Sequence, residues 1–317
     1  MKTLILNDIH LNCRRAGGTT KQSRKDLEVW MLGRFKGLLE IPHEKLIILG
    51  DLYDRRHVDE HIMKDVIELL DKENCAIAVG NHDVGKGEDG NTISSCEFTS
   101  LMSDSTLIKA PIFSGGLYII PHVSDQKLFD HAVQLCPDNT IMLTHANIDS
   151  PFAHGDHSLN LSLQQMKDLT DRGVDVIAGH EHTRRDVMNV SILGNQFPSS
   201  IADCLGGDKF AHVLEDGVLT SIPTWTTDSY YEGSEIPKGH YDFINITGEC
   251  ELVEYPAVVK AVAELRKNSD AFIVKNSTKV KEFEVAKMTE EITRFNIVDM
   301  LLEEINPDYR DEVRSCI

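Results

Sequence analysis

Short runs of Ile, Leu and Val recur through the first part of the chain: TLILN at 3–7, KLIIL at 45–49, CAIAV at 75–79, LYII at 117–120, TIMLT at 140–144 and VDVIA at 174–178. They are apolar on both faces, as in central strands covered on both sides. Between them, Leu27, Trp30, Met31, Phe35 and Leu38 fall at helical spacing over 23–39, as do Ile62, Val66, Ile67, Leu69 and Leu70 over 60–72. A third helical stretch, 161–171, has Ser162 to cap it. Strands alternating with helices predict an α/β architecture.

Past residue 185 the pattern changes to short strands and turns, with a hairpin expected at Glu215-Asp216-Gly217. A polar linker spans 226–239. A small unit follows at 240–287, read as the strand YDFINIT, a helix over 257–267 and the strand DAFIVKN. The tail carries Ile292, Phe295, Val298, Leu301, Leu302 and Ile305 on a helical period that Pro307 ends. The expected division is a catalytic domain at 1–225, a small α/β cap at 240–287 and a helical tail at 288–317.

The residues at the strand ends bear on chemistry. After the first strand comes Asn7-Asp8-Ile9-His10, then Gly50-Asp51-Leu52-Tyr53-Asp54, Gly80-Asn81-His82-Asp83, a lone His145, and Gly179-His180-Glu181-His182. In open α/β sheets the carboxyl ends of the strands line the ligand crevice. Asp8 and His10, two apart on an extended segment, point the same way. The glycines fit tight turns with close backbone approach. Carboxylate, imidazole and amide oxygen without thiolate suit manganese, iron or zinc.

This ordered set resembles the calcineurin-like metallophosphoesterase superfamily over residues 1 to about 185. Within it the chain is similar to the SbcD-type DNA repair and recombination nuclease subunits of phage, bacteria and archaea. The segment Gly194-Asn-Gln-Phe-Pro-Ser-Ser-Ile-Ala-Asp203 and the small cap after it add to the likeness, whereas Leu11-Asn12 stands where that family has Leu-Gly. The resemblance implies an α/β fold, a metallophosphoesterase β-sandwich flanked by helices, with the small cap and terminal helix after it. It implies two divalent metal ions, manganese first and iron or zinc as alternatives. Asp8, His10, Asp51 and His182 would hold one, and Asp51, Asn81, His145 and His180 the other. His82 would be general acid or transition-state stabiliser, with Asp83 fixing its tautomer, and Asp54 and Arg55 would orient the ligand loop. The implied partners are DNA, an SMC-like coiled-coil ATPase docking on the tail, and a second copy meeting through 59–73 and 90–110.

Charge complicates the substrate. The 317-residue chain carries a net charge of −19, unlike most proteins that neutralise phosphates. Two stretches run the other way. Residues 11–37 include Arg14, Arg15 and Lys21, candidates for gripping a DNA backbone beside the site, and residues 258–287 are also basic. The alternative reading is a small-molecule or protein phosphatase of the same superfamily. Asp51-Leu52-Tyr53-Asp54-Arg55 resembles the Gly-Asp-x-x-Asp-Arg pattern of Ser/Thr phosphatases, though Asp83 stands where they carry Glu. A third reading, a scaffold with a structural metal, leaves His82 beside the ligands without a purpose. The seven scattered cysteines argue against a disulfide framework, and no apolar run reaches the ~18 residues of a membrane span, so a cytoplasmic location without membrane attachment is expected. His154 and His157 are read as loop residues.

Overall fold

The apolar runs pair into two six-stranded sheets. The computed structural model describes residues 1–15, 17–86, 92–150 and 159–281. The first sheet has the order Val218–Trp225, Lys209–Glu215, Lys2–Leu6, Lys45–Leu49, Cys75–Ala78, Thr106–Ile108. The second runs Arg185–Val187, Val190–Ile192, Asp175–Gly179, Ile141–His145, Leu117–Ile120, Ile112–Ser114. The central strands of each are parallel; antiparallel strands close both edges of the second sheet and one edge of the first, whose other edge, Thr106–Ile108, is parallel.

Because strand side chains alternate, one run feeds two cores. Ile5, Ile47 and Leu49 of the first sheet meet Ile119, Leu143 and Ile177 of the second. Leu4, Leu6, Leu46 and Ile48 face the other way, onto Leu27, Met31 and Phe35 of the helix Lys21–Leu39 and Ile62, Val66 and Leu70 of the helix Glu60–Leu70. On the far side, Met142, Val176 and Ala178 pack on Phe129 and Val133 of the helix Gln126–Gln134 and Met166 and Leu169 of the helix Leu163–Asp171. The result is the helix-flanked β-sandwich expected from the sequence. Ser162 does cap its helix, closing a reciprocal pair of bonds with Gln165. The hairpin turn falls at Asp216 and Gly217, whose φ values of 50° and 81° are those a two-residue type I′ turn requires.

The stretch expected to be a linker differs. Tyr230–Gly233 is a strand, parallel to Phe243–Ile246, which is in turn parallel to Ile273–Asn276. The helix Tyr255–Asn268 makes the crossover that parallel pairing demands. The YYEG sequence lacks alternation, and its strand character comes from pairing. The helices Gln126–Gln134 and Ser95–Leu101 are likewise additions to the expected set. The tail 288–317, His154 and His157, and residues 90 and 91 of the expected dimer region lie outside the described residues.

The small sheet shares a core with the first one. Phe243 and Ile273 belong to the same buried cluster as Leu27 and Met31. The Trp30 ring lies 5.7, 6.1 and 5.1 Å from Phe197, Phe243 and Phe272. Val274 N donates to the Gly18 carbonyl at 2.8 Å. No described helix is long and apolar enough to cross a membrane.

Phe243→Ala should cost about 3–5 kcal/mol, the usual loss for a buried Phe, and urea unfolding of the wild type should be one transition. Two separable transitions in the wild type would mean that the seam does not couple the units.

Candidate metal centre

Five strand ends meet at one edge of the sandwich, three from the first sheet and two from the second. Three of these segments leave their strands through a left-handed bend. Asp8, His10, Asp51 and His180 have φ values of 49°, 50°, 53° and 84°. Left-handed backbone costs an L residue roughly 1–2 kcal/mol, least for Asp, Asn and His, so the residue types suit the bend as well as the chemistry. The first two loops stay paired past the strands: Asp8 N donates to Gly50 O at 3.1 Å, His10 N to Asp51 O at 3.0 Å and Leu11 N to Leu52 O at 3.0 Å. This ladder fixes Asp8 and His10 against Asp51.

Three overlapping clusters result: Asp8, His10 and His182; Asp51, His145 and His180; and His10, Asp51 and His82. Asp51 Oδ2 lies 3.8 Å from His10 Nε2 and 3.3 Å from His145 Nε2, between the two sides. Asn81 Oδ1 joins the second side, 3.1 Å from His145 Nε2. On the first side His10 Nε2 and His182 Nε2 face each other at 3.1 Å, and Asp8 Oδ1 lies 3.8 and 3.7 Å from them.

These residues fit a divalent ion pair. Asp8 Oδ1 is buried with no hydrogen-bond partner among the described residues, a costly state for a carboxylate oxygen without a cation. Its other oxygen is satisfied by Asn7 Nδ2 at 2.6 Å and His180 N at 2.8 Å, so one oxygen is fixed and the other presented. The donors are oxygen and imidazole nitrogen, the set for manganese, iron or zinc. Gly50 and Gly80 make the close approach feasible: a Cβ on Gly50 would overlap the His145 imidazole, and one on Gly80 the Asp51 carboxylate.

The electrostatics arise from crowding. Burial pushes the Asp8 and Asp51 carboxyls up, but the surrounding imidazoles outweigh it and hold both below the usual range. Burial pushes His145 down, yet the Asp51 and Asp8 charges and its bond to Asp51 raise it to about 10. His10 lies lower than usual, mainly through burial.

Asp83 does something other than expected. It contacts backbone rather than His82, accepting from Asp51 N at 2.8 Å, Gly80 N at 2.9 Å and Tyr53 N at 3.2 Å. A fully buried carboxylate bonded to three amides ties the second and third loops together. Burial and the nearby Asp51 charge raise its pKa to about 6. The group beside His82 is the Asp54 carbonyl, 2.9 Å from Nδ1, while the His82 amide donates to Asp51 Oδ1 at 2.9 Å. The Asp54 carboxylate lies 3.6 Å from His10 Nδ1 and 3.6 Å from Arg15, with Arg55 at 3.8 Å. Arg14 pairs with Asp59 and, with Lys21, Arg24 and Lys25, lines a groove of about 570 Å³.

One supporting residue carried no assigned role in the sequence. Asp203 Oδ1 lies 2.6 Å from His182 Nδ1, and its second oxygen accepts from Ser199 N and Oγ at 2.8 and 3.0 Å. A carboxylate on the far nitrogen of a ligand imidazole fixes its tautomer and orients the ring. Lys209 Nζ adds a bond to the His182 carbonyl at 2.9 Å. The Gly194–Asp203 segment points to this place in the sequence, but only by resemblance. Asn7 and Gln196 exchange bonds at 2.9 Å behind Asp8.

No curated protein matches the chain in sequence. Among solved structures, a Staphylococcus aureus chain provisionally described as a 5′-nucleotidase, in complex with α-ketoglutarate, is 11% identical with a TM-score of 0.39. The match covers 70% of this chain and 52% of that one, so this chain spans about half the nucleotidase's length. A single mutant of Vps29 from Entamoeba histolytica is 12% identical with a TM-score of 0.31, over 70% of this chain and 98% of that one. The family model for calcineurin-like phosphoesterases matches residues 1–184, more than half of the sequence and all five ligand-bearing loops, and the chain belongs to that family.

Proposed function

We propose that the chain is a two-metal phosphodiesterase acting on DNA, working as a homodimer with an SMC-like coiled-coil ATPase. The observation that carries the catalytic part is Asp51, shared between two imidazole-bearing clusters with the exposed His82 at their rim. Asp8, His10, Asp51 and His182 would hold one ion and Asp51, Asn81, His145 and His180 the other. Bound there, two ions supply Lewis acidity to the phosphoryl group and lower the pKa of water. The protein's own groups do the rest. With Nδ1 donating to the Asp54 carbonyl, the imidazolium form of His82 would carry its second proton on Nε2, to pass to the leaving oxygen or to hold a phosphate oxygen. Arg55, beside Asp54, steadies the same loop.

The DNA reading rests on where positive charge collects in an otherwise acidic chain. Arg15 stands beside Asp54, and the Arg14–Lys21–Arg24–Lys25 groove begins at Cys13, three residues past His10. Backbone contacts of this kind position a nucleic acid without reading its sequence. The dimer reading is supported by Phe98, Leu101 and Met102, which are 54%, 78% and 66% exposed on and just after the helix Ser95–Leu101, next to the helix Glu60–Leu70. Apolar side chains clustered in this way mark an interaction surface. The ATPase would dock on the 289–305 segment.

Manganese-dependent nucleotide release from linear DNA should fall by about 100-fold or more in His82→Gln, within the range for lost acid–base catalysis, while manganese binding by calorimetry persists. Asp51→Ala should lose both. Undiminished release in His82→Gln removes its assigned role, and hydrolysis of p-nitrophenyl phosphate without DNA cleavage by the wild type returns the substrate to the phosphatase alternative. Asp203→Asn should weaken manganese binding by about 10–100-fold, the usual penalty for losing a ligand's carboxylate partner, with activity recovering at high metal. Leu101→Asp should turn a dimer into a monomer in sedimentation velocity; an unchanged dimer would place the interface elsewhere.

A further inference from the structure

A cleft of about 620 Å³ adjoins the centre on the Asn81 side, and the proposed hydrolysis makes no use of it. Its walls are apolar: Val79, Val84, Ala110, Pro111, Leu128 and Leu135. Val79 is followed at once by Gly80, Asn81 and His82, so the inner wall is continuous with the loop that would hold metal and phosphate. His122 closes this end. Its amide donates to the Val79 carbonyl at 2.8 Å, and its imidazole is near enough to His145, Asp51 and His180 to feel their charges. At the outer part Glu97 and Lys109 form an ion pair, with Ser94 and Ser124 nearby on the lining.

We infer that this cleft receives the nucleobase of the nucleotide next to the scissile phosphate. The inference rests on the nuclease reading. A base needs apolar walls and a few hydrogen-bonding groups at its edge, and the cleft has both: aliphatic walls, His122 and His131 as planar surfaces, and Ser94, Ser124 and the Glu97–Lys109 pair as polar groups on the lining. The volume is that of an ordinary small-molecule pocket, with space for a base and its sugar. A patch made only for protein contact has no need to run into the metal-binding loop. A base in this cleft cannot remain stacked in a duplex, so the enzyme would act on single strands or on ends that have opened.

The test compares two single-stranded oligonucleotides, one fully base-bearing and one with an abasic tetrahydrofuran site beside the cleaved phosphate, in manganese. Ala110→Trp and Leu128→Trp each add an indole to the cleft lining, at exposed positions where folding is not at stake. The wild type should prefer the base-bearing strand by about 10-fold or more in kcat/KM, the scale of one base–aromatic contact. Both variants should lose that preference and cleave the abasic strand as the wild type does. A wild type indifferent to the missing base, or a preference that survives both substitutions, overturns the base-cleft assignment and leaves the nuclease reading standing. Cleavage of neither oligonucleotide, with p-nitrophenyl phosphate still hydrolysed, overturns the nuclease reading and this inference together.

Discussion

Two carboxylates, Asp8 and Asp51, are 2% and 1% exposed at the end of a hydrophobic sandwich, and both are held in the charged form. Removing such a group from water costs several kcal/mol even after relaxation. Much of the surrounding architecture offsets that cost. Imidazoles converge from the other strand ends, the His180 and His82 amides donate to the two carboxylates, and Asn7 Nδ2 gives a second bond to the Asp8 oxygen that His180 holds. The groups that neutralise the carboxylates are those that would ligate a metal, so the electrostatic and chemical demands on the site coincide.

The sandwich makes this convergence possible because each sheet contributes a different part. The first sheet supplies Asp8, His10, Asp51, Asn81 and His82 from adjacent parallel strands, and the second supplies His145, His180 and His182 from across the inter-sheet core. Neither sheet alone assembles a complete ligand set. His145 Nδ1 bonds to the Leu49 carbonyl at 3.0 Å, which stitches the second sheet to the first at the point where the ligands meet. Asp83 performs the same service within the first sheet, tying the Asp51 and Gly80 loops through their amides. A carboxylate placed beside Asp51 for structural reasons has its pKa raised, first by burial and then by the Asp51 charge.

The strands and the ligand loops are legible in the sequence because their signals are local: an apolar run, then glycine, then Asp, Asn or His. The helix over 60–72 is legible from its spacing, and the Asp216-Gly217 turn from its residue types. The illegible parts depend on contacts distant in sequence. Asp203 reaches His182 across 21 residues, and no pattern in its own neighbourhood marks it as that imidazole's partner. Adjacency suggests Asp83 as the partner of His82, whereas the loop turns it inward to amides at positions 51 and 53. Tyr230–Gly233 is a strand only because Phe243–Ile246 pairs with it.

The chain's two tryptophans stand on the same seam. Trp30 packs on Phe243 and Phe272, and Trp225 lies 6.2 Å from Phe243 while its indole Nε1 donates to Asp242 at 3.1 Å. Intrinsic indole emission therefore comes from the junction between the catalytic sandwich and the small sheet, with no background from elsewhere. The protein carries its own optical gauge of whether the small unit stays seated, readable in solution without a label.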